Sequence, residues 1–291
     1  MTPLSGDSLR SAELRRPWAA SSGEIVKKLT VGCAIALAAL PALAKEQIIP
    51  LSASDAALLR DKTVALTVHA RPNFVAMTAG KATFGLFGVG AMIKAGNTLV
   101  DSNHVEDPAG IVRGNLAAVL RDAYGARLLP VDSNATSSTK PKELASLHAD
   151  ADYVLDVRSV GWMRGYYATK WGSYWVAYST EVKLIDAKSG AVKASEACNA
   201  TTQPHANPPS REQLDADGAK LLKDVTGSLG WMCVQLLAKE ELNAPAGAVA
   251  ATPAQFADPI SALVPATPVT APAAPAAAQE PASSPVASGN G

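Results

Sequence analysis

The sequence predicts an α+β domain: a mixed sheet of about five strands with helices on one face, in the order β-α-β-α-β-β-β-α. Three observations predict it. Short segments that alternate apolar and polar residues mark strands, and amphipathic segments with capping residues mark helices. The last three strands follow one another through short connections, which indicates an antiparallel meander.

The first strand and the first long helix have the clearest local signals. Residues 62–70 alternate apolar and polar side chains, as a half-buried strand does. Asp107 is suited to a helix N-cap, Pro108 to the first helical position, and Gly125 to a C-terminal stop. A helix over residues 108–124 follows from this pattern.

The remaining strands are predicted at residues 127–131, 152–162, 173–187 and 191–199, with a short helix at 142–149. The third of these strands alternates most regularly, so one face of the sheet should be buried and the other wet. The apolar face carries Tyr174, Val176, Tyr178, Thr180, Val182 and Leu184. On the wet face, the pattern predicts that Asp156 and Arg158 pair with Glu181 and Lys183 as a surface ladder. A long helix should follow, capped by Ser210 with Gln213 completing a capping box.

The N-terminus is typical of a cleavable signal peptide. Lys27 and Lys28 precede an apolar run of 12 residues at 29–40, and a small-residue site ends at Ala44. Cleavage there would leave a periplasmic protein that begins at Lys45. Residues 1–25 are unusually long and polar for a signal, which indicates that the true translation start lies downstream of Met1. The residues before Cys33 fit a lipobox poorly, so a lipid anchor is not expected.

Composition divides the chain into a signal peptide (1–44), one domain (45–243) and an Ala/Pro-rich tail (244–291) that is expected to be disordered. The whole chain carries 26 basic and 26 acidic residues. Five basic and three acidic residues precede the predicted cleavage site, so the mature chain has 21 basic and 23 acidic residues. Such a balance disfavours a nucleic-acid partner, because a phosphate backbone needs a basic surface.

Two of the three cysteines lie in the mature chain. In an oxidising compartment, Cys198 and Cys233 are expected to form one disulfide. A redox pair or a metal site is disfavoured, since the spacing is not C-x-x-C. Closing a loop of this size would stabilise the fold by about 4 kcal/mol in the chain-entropy treatment.

No motif indicates a catalytic, metal or cofactor site. The Gly-rich segment 80–96 lacks the first glycine and the hydroxyl of a phosphate-binding loop, so we interpret it as a helix or loop that packs on the sheet or touches lipid. The segment that contains Asp101, Asn103, Glu106 and Asp107 is not interpreted as a calcium-binding loop, because the glycine that such a loop requires is absent. The four histidines have no zinc-site spacing. We therefore predict no cofactor and no metal.

Aromatic residues crowd into the hairpin formed by the first two strands of the meander. Trp162, Tyr166, Tyr167, Trp171 and Trp175 are the candidate interaction surface. Tyr174 and Tyr178 belong to the buried face by their alternation, which leaves the others to be explained. Tyr and Trp are enriched in binding surfaces, where one end of the ring is apolar and the other polar.

The segment Ala151-Asp152-Tyr153-Val154-Leu155-Asp156, followed by a meander that ends in Leu184-Ile185-Asp186 and Gly190, resembles small envelope α/β domains. The N-terminal domain of the TolB translocation protein and the curli-secretion lipoproteins are of this kind, as are uncharacterised exported proteins of proteobacteria. The resemblance covers residues 62–198 and implies an envelope protein, without assigning a role to any residue.

Two functions remain open from the sequence. The first is a non-catalytic binding or assembly protein that docks through the aromatic hairpin, on an envelope protein or on a membrane or cell-wall surface. The second is a cell-envelope enzyme, such as a hydrolase, with an unrecognised site. The sequence does not predict the oligomeric state.

Overall fold

The computed structural model describes residues 48–78, 85–132 and 134–261. Its strands are β1 (Thr63–Leu66), β2 (Phe74–Ala76), β3 (Arg127–Leu128), β4 (Tyr153–Tyr167), β5 (Lys170–Asp186) and β6 (Val192–Thr201). They form one mixed sheet of six strands in the order β3-β1-β4-β5-β6, and β2 pairs with β4. The predicted α+β fold is confirmed. The predicted signal peptide, with its expected cleavage site between Ala44 and Lys45, lies outside the described residues.

The helices are α1 (Ala53–Leu58), α2 (Gly85–Ser102), α3 (Ala109–Tyr124), α4 (Pro141–Leu147), α5 (Arg211–Glu240) and α6 (Ala254–Ala257). The predicted stop at Gly125 and the capping box at Ser210 are confirmed, whereas the N-cap position of α3 falls at Pro108 and not at Asp107. Asp107 accepts a hydrogen bond from the backbone N–H of Ala109 at the start of α3, and Gly125 ends that helix in the left-handed conformation. At α5, Ser210 and Gln213 form the reciprocal capping box. Among the described residues, no helix combines the length and apolar character needed to cross a bilayer.

The main core lies between one face of the sheet and the helices α3 and α5. Alternate residues of β4 and β5 supply the sheet side of this core, and residues spaced three or four apart supply the helix side. From α3 the buried residues are Val112, Leu116, Ala117, Val119 and Leu120. Cys198 of β6 and Cys233 of α5 face each other here, and their sulfur atoms form the predicted disulfide at 2.03 Å. The bond therefore ties the edge strand to the helix that covers it.

The opposite face of the sheet was predicted to be wet and free of helices, but it also carries a helix. Leu144 and Ala145 of α4 pack with Val154, Ile185 and Ala187 in a second, smaller cluster. Val154 and Ile185 are cross-strand partners that neighbour core residues in their strands, so they point to the other side of the sheet. Helices therefore pack on both faces of the sheet, with the main core on one face and the smaller cluster at one end of the other.

The segment after β1 adds a strand and a helix that the sequence did not predict separately. β1 and β2 run parallel to β4 one after the other along the same edge, beside residues 153–155 and 162–164. The described part of the Gly-rich segment forms α2, which packs on β2. A Cβ at Gly96 would lie 1.9 Å from the backbone oxygen of Phe74, so only glycine permits this approach.

The long helix α5 is interrupted near its start. Residues 216–219 are not helical, and Asp217, Gly218 and Ala219 have φ angles of 52°, 66° and 57°. The long helix predicted after Ser210 is continuous, because Leu214 and Leu222 have the spacing of one apolar helix face. The structure buries both of these leucines, while the left-handed turn separates a short first segment from the main helix.

The boundary predicted between domain and tail is wrong. Residues 244–261 belong to the fold: Ala244, Val249 and Phe256 pack against the core and Ile260 is buried in it. The ring of Phe256 lies over Gly227 of α5, where a Cβ would come within 2.3 Å of it. A few apolar residues spaced widely in a Pro-rich segment are enough for docking, although they form no periodic pattern. The part of the predicted tail at 262–291 lies outside the described residues.

Candidate functional site

The aromatic hairpin consists of β4, β5 and the turn between them. Its two arms pair antiparallel from Tyr153 opposite Asp186 to Tyr167 opposite Lys170. A register shift between Ser159 and Gly161 changes which β4 residues face the core beyond that point. The candidate surface must therefore be judged residue by residue.

Trp162 does not belong to a surface. Its side chain is buried, with 2% exposure, and packs edge to face on Phe74 of β2. Its indole N–H donates to the backbone oxygen of Pro72. The assignment of Trp162 to an interaction surface is wrong, because the register shift places its side chain on the core face, where it contacts Phe74.

Three further aromatic residues stiffen the end of the hairpin. Tyr166 is half-buried and packs against the core. The hydroxyl of Tyr167 donates to the backbone oxygen of Gln203, which fastens the end of β4 to the loop after β6. The ring of Trp175 lies directly over Gly165, its cross-strand partner, and the indole N–H donates to the oxygen of Tyr166. These three residues support the hairpin and are partly accessible.

Trp171 is the one member of the predicted surface that is fully presented to solvent. Its side chain is 70% exposed. Its indole N–H donates to the backbone oxygen of Ala168 at 2.6 Å, within the same turn. The tip is therefore an exposed indole on a well-braced hairpin.

A polar cluster lies on the face of β4 that points away from the main core. It is at the stretch of β4 between the residues that pair with β1 and those that pair with β2. Asp156 is buried, and its Oδ1 lies 2.6 Å from both the hydroxyl of Thr67 and Nε2 of His69. The prediction that Asp156 belongs to an exposed ladder with Lys183 is wrong, although the two residues are cross-strand partners. The rest of the ladder is confirmed, since Glu181 pairs with Arg158 and lies 3.4 Å from Lys183.

A second polar network joins the start of α3 to the core. Ser159 donates to Asp107 at 2.5 Å, and its hydroxyl lies 3.1 Å from that of Tyr178. Burial raises the pKa of the Tyr178 hydroxyl, which stays protonated. Burial lowers the pKa of Arg113 while the nearby carboxylate of Asp107 opposes that shift. Each hydrogen bond here connects groups of different elements, so we interpret the network as structural.

One buried cation stands out on the core face of the hairpin. Arg164 is only 4% exposed, pairs through Nη1 with Asp215 of α5, and lies 5.5 Å above the ring of Tyr174. Among the described residues, its buried Nε has no hydrogen-bond partner. Beside it is a cavity of about 560 Å³ between β2, α2 and the start of α5, which Lys94 and Arg211 also line. We call this the basic cavity.

The sequence alone did not identify Arg164 as a buried residue. A signal was present, since Trp162, Arg164 and Tyr166 alternate along β4 and therefore share one face. What decides that this face is the core face is the register shift near Val160, which alternation alone does not reveal. Within the described ranges, no group of three or more His, Cys, Asp or Glu side chains is placed to hold a metal ion.

Comparisons with known proteins give only distant similarities. No protein-family model matches the chain, and no curated protein matches it. Solved structures that it resembles include the lipoprotein GNA1162 from Neisseria meningitidis, at 12% identity and a TM-score of 0.26, with 48% of this chain and 82% of that one covered. Another is CT253 from Chlamydia trachomatis, at 12% identity, a TM-score of 0.29, and coverage of 62% and 97%.

A third similar structure is the PelC dodecamer from Paraburkholderia phytofirmans, at 17% identity and a TM-score of 0.28, with 67% of this chain and 94% of that one covered. All three TM-scores are far below 0.5, so these structures assign neither a family nor a function to this chain.

Proposed function

We propose that this chain is a non-catalytic periplasmic protein of the bacterial envelope that binds a protein partner through the tip of the aromatic hairpin. The observation that carries the proposal is the exposed indole of Trp171, whose N–H donates to the backbone oxygen of Ala168 in its own turn. Export rests on the signal-peptide pattern that ends at Ala44.

The geometry of the hairpin supports a docking role. An exposed tryptophan contributes nothing to the core, and Trp is among the residues that dominate binding energy at protein interfaces. The contacts of Tyr167 with the loop at Gln203, and of Trp175 with Gly165, hold the tip in place before any partner binds. Because the tip is already held in place, less conformational entropy is lost when a partner binds.

The test compares Trp171→Ser with Leu147→Ser in the mature chain. Leu147 is a matched control, because it is 60% exposed and lies on α4, away from the hairpin. The free energy of unfolding of both variants should lie within about 0.5 kcal/mol of the parent value, as is usual for substitutions at exposed positions. A photo-crosslinking residue at position 171, expressed in the periplasm, should give a discrete adduct with one envelope protein, and the same residue at position 147 should not.

Three outcomes would contradict the proposal. Equal adducts at positions 171 and 147 would show nonspecific contact. A blue shift of tryptophan fluorescence on lipid vesicles that the Trp171→Ser variant does not show, without a protein adduct, would identify a membrane surface as the partner. Hydrolysis of purified cell-wall material by the mature protein would show that it is an enzyme.

A further inference from the structure

The basic cavity has a lining suited to a small organic anion. Lys94 of α2, Arg164 of β4 and Arg211 of α5 bring three cations from three elements to one space. Asp215 is the one carboxylate among the lining residues. Small apolar side chains complete the wall, among them Ala76 and Ala95. A ligand with one anionic head and a short apolar body matches both parts of this lining.

Arg164 is the central group of the cavity. A guanidinium has five N–H donors, and a buried one is costly unless its charge and its donors are satisfied. In the described residues, Arg164 has Asp215 as its only ion-pair partner, and its buried Nε donates to no group. The fold therefore buries a cation whose donors are only partly used, next to an open space.

The other two cations strengthen the positive potential at the mouth. Lys94 is exposed and makes no ion pair with the described residues, while Arg211 lies 3.2 Å from the neighbouring Glu212. Because they come from different elements, no single helix end or strand explains their convergence. An anion that enters would meet Lys94 and Arg211 first and Arg164 at the inner wall.

The carboxylate of Asp215 lies where the anionic head of a ligand would contact Arg164. Its side chain is one-third exposed, whereas that of Arg164 is almost completely buried, so the pair is open to solvent from the Asp215 side. It lies on the short first segment of α5, just before the left-handed residues 217–219. The preceding residue Leu214 is buried in the main core, which anchors this segment beside Arg164.

We propose that the basic cavity binds a small organic anion, with a carboxylate or phosphate head, and that Asp215 is the internal counter-ion which this head replaces at Arg164. The proposal goes beyond docking at the hairpin tip and does not depend on it.

The experiment measures binding of butyl phosphate and of butyrate to the mature chain by NMR titration, with 1-butanol as the neutral probe. We expect saturable binding of at least one anion, with a shift of the Arg164 Nε–H signal, and no saturable binding of 1-butanol. The Asp215→Asn variant should bind the anion about threefold more tightly, because the competing carboxylate is removed. The Lys94→Ala variant should bind it about threefold more weakly, which is the effect expected from loss of one partly exposed ion pair. Lys188→Ala is the matched control, since Lys188 is 79% exposed and lies in the β5–β6 turn.

Several results would overturn the proposal. They are a lack of saturable binding by both anions, equal binding of 1-butanol, or an Asp215→Asn variant that binds no more tightly than the parent. Should Asp215→Asn fail to fold, the Arg164 Nε–H shift in the parent protein and the Lys94→Ala comparison decide the question. Trp171→Ser should leave anion binding unchanged, so failure of the hairpin proposal is distinguishable from failure of this one.

Discussion

At the scale of single residues, the two carboxyl groups where α5 ends are the most unusual feature of the core. Glu241 follows α5 directly, and both its Oε atoms are buried without a hydrogen-bond partner among the described residues, as is Oε2 of Glu196 in β6. Burial, and then the charge of Glu196, raises the pKa of Glu241 well above its usual range, against the opposing charge of Lys183. Burial and the charge of Glu240 also raise the pKa of Glu196. The native state therefore favours the protonated form of these groups.

This arrangement predicts a stability that falls as the pH rises. A carboxyl whose pKa is higher in the folded than in the unfolded state contributes its stability fully below the unfolded pKa of about 4.3 and loses it as the pH rises through the folded value. Glu241→Gln removes the charge, so it should flatten this slope and increase the free energy of unfolding at pH 8 by about 1–3 kcal/mol.

Urea unfolding between pH 4 and pH 8 measures the effect of Glu241→Gln. The exposed Glu106 provides the control, since Glu106→Gln should leave the slope of the parent unchanged. A parent protein that gains stability steadily from pH 5 to pH 8, or a Glu241→Gln variant with the parental slope, would contradict the prediction.

At the scale of an element, the hairpin depends on a glycine that accommodates an indole. A Cβ at Gly165 would lie 2.2 Å from the ring of Trp175, whereas a Cβ at Gly161 in the same strand has no atom within 4 Å. The two glycines are thus a matched pair, one packed and one open. This contact is also what keeps Trp175 from being a free part of the predicted interaction surface.

We expect Gly165→Ala to destabilise the protein by about 1–3 kcal/mol, because the added methyl group forces the indole of Trp175 out of place. Gly161→Ala should change the stability by less than about 0.5 kcal/mol. Thermal and urea unfolding give both values. In the double variant Gly165→Ala, Trp175→Ala the clash is absent, so the glycine substitution should cost much less there. An equal cost in both backgrounds would place the strain elsewhere in the strand.

At the scale of the whole molecule, the fold extends past the boundary that composition suggests. Residues 244–261 lie along α5, and Leu51 near the other end of the described chain donates its backbone N–H to Glu241 at the end of the same helix. Asn243 donates to the oxygen of Leu51 as well. The start of the described chain therefore contacts the C-terminal end of α5, and the segment after α5 runs back along the helix to Gly227.

Truncation separates the two possible boundaries. A chain that ends at Asn243 loses Phe256 and the buried Ile260, so it should be less stable by about 3 kcal/mol or more. A chain that ends at Ser261 should melt like the parent, because the residues after it are Ala- and Pro-rich. Ile260→Ala tests the same contact without truncation and should cost about 2–4 kcal/mol. Parental stability of the chain ending at Asn243 would contradict the docking of this segment.

The sequence by itself determined the features whose signals are local. The alternation in residues 173–187, the capping box of Ser210 and Gln213, and the stop at Gly125 each depend on a few neighbouring residues and on backbone geometry, so the strands and helices could be predicted. The disulfide followed from having two cysteines after the predicted cleavage site, and the candidate surface at Trp171 from an aromatic residue in a turn.

Only the tertiary structure decided which face of each element is buried where the pattern is irregular. The register shift in β4 turns Trp162 and Arg164 inward. The burial of Glu196 and Glu241, and of Ile260 in a Pro-rich segment, depends on contacts between parts of the chain that are distant in sequence. Such contacts follow from the packing of whole elements and leave no periodic signal, which is why neither the basic cavity nor the end of the domain could be predicted.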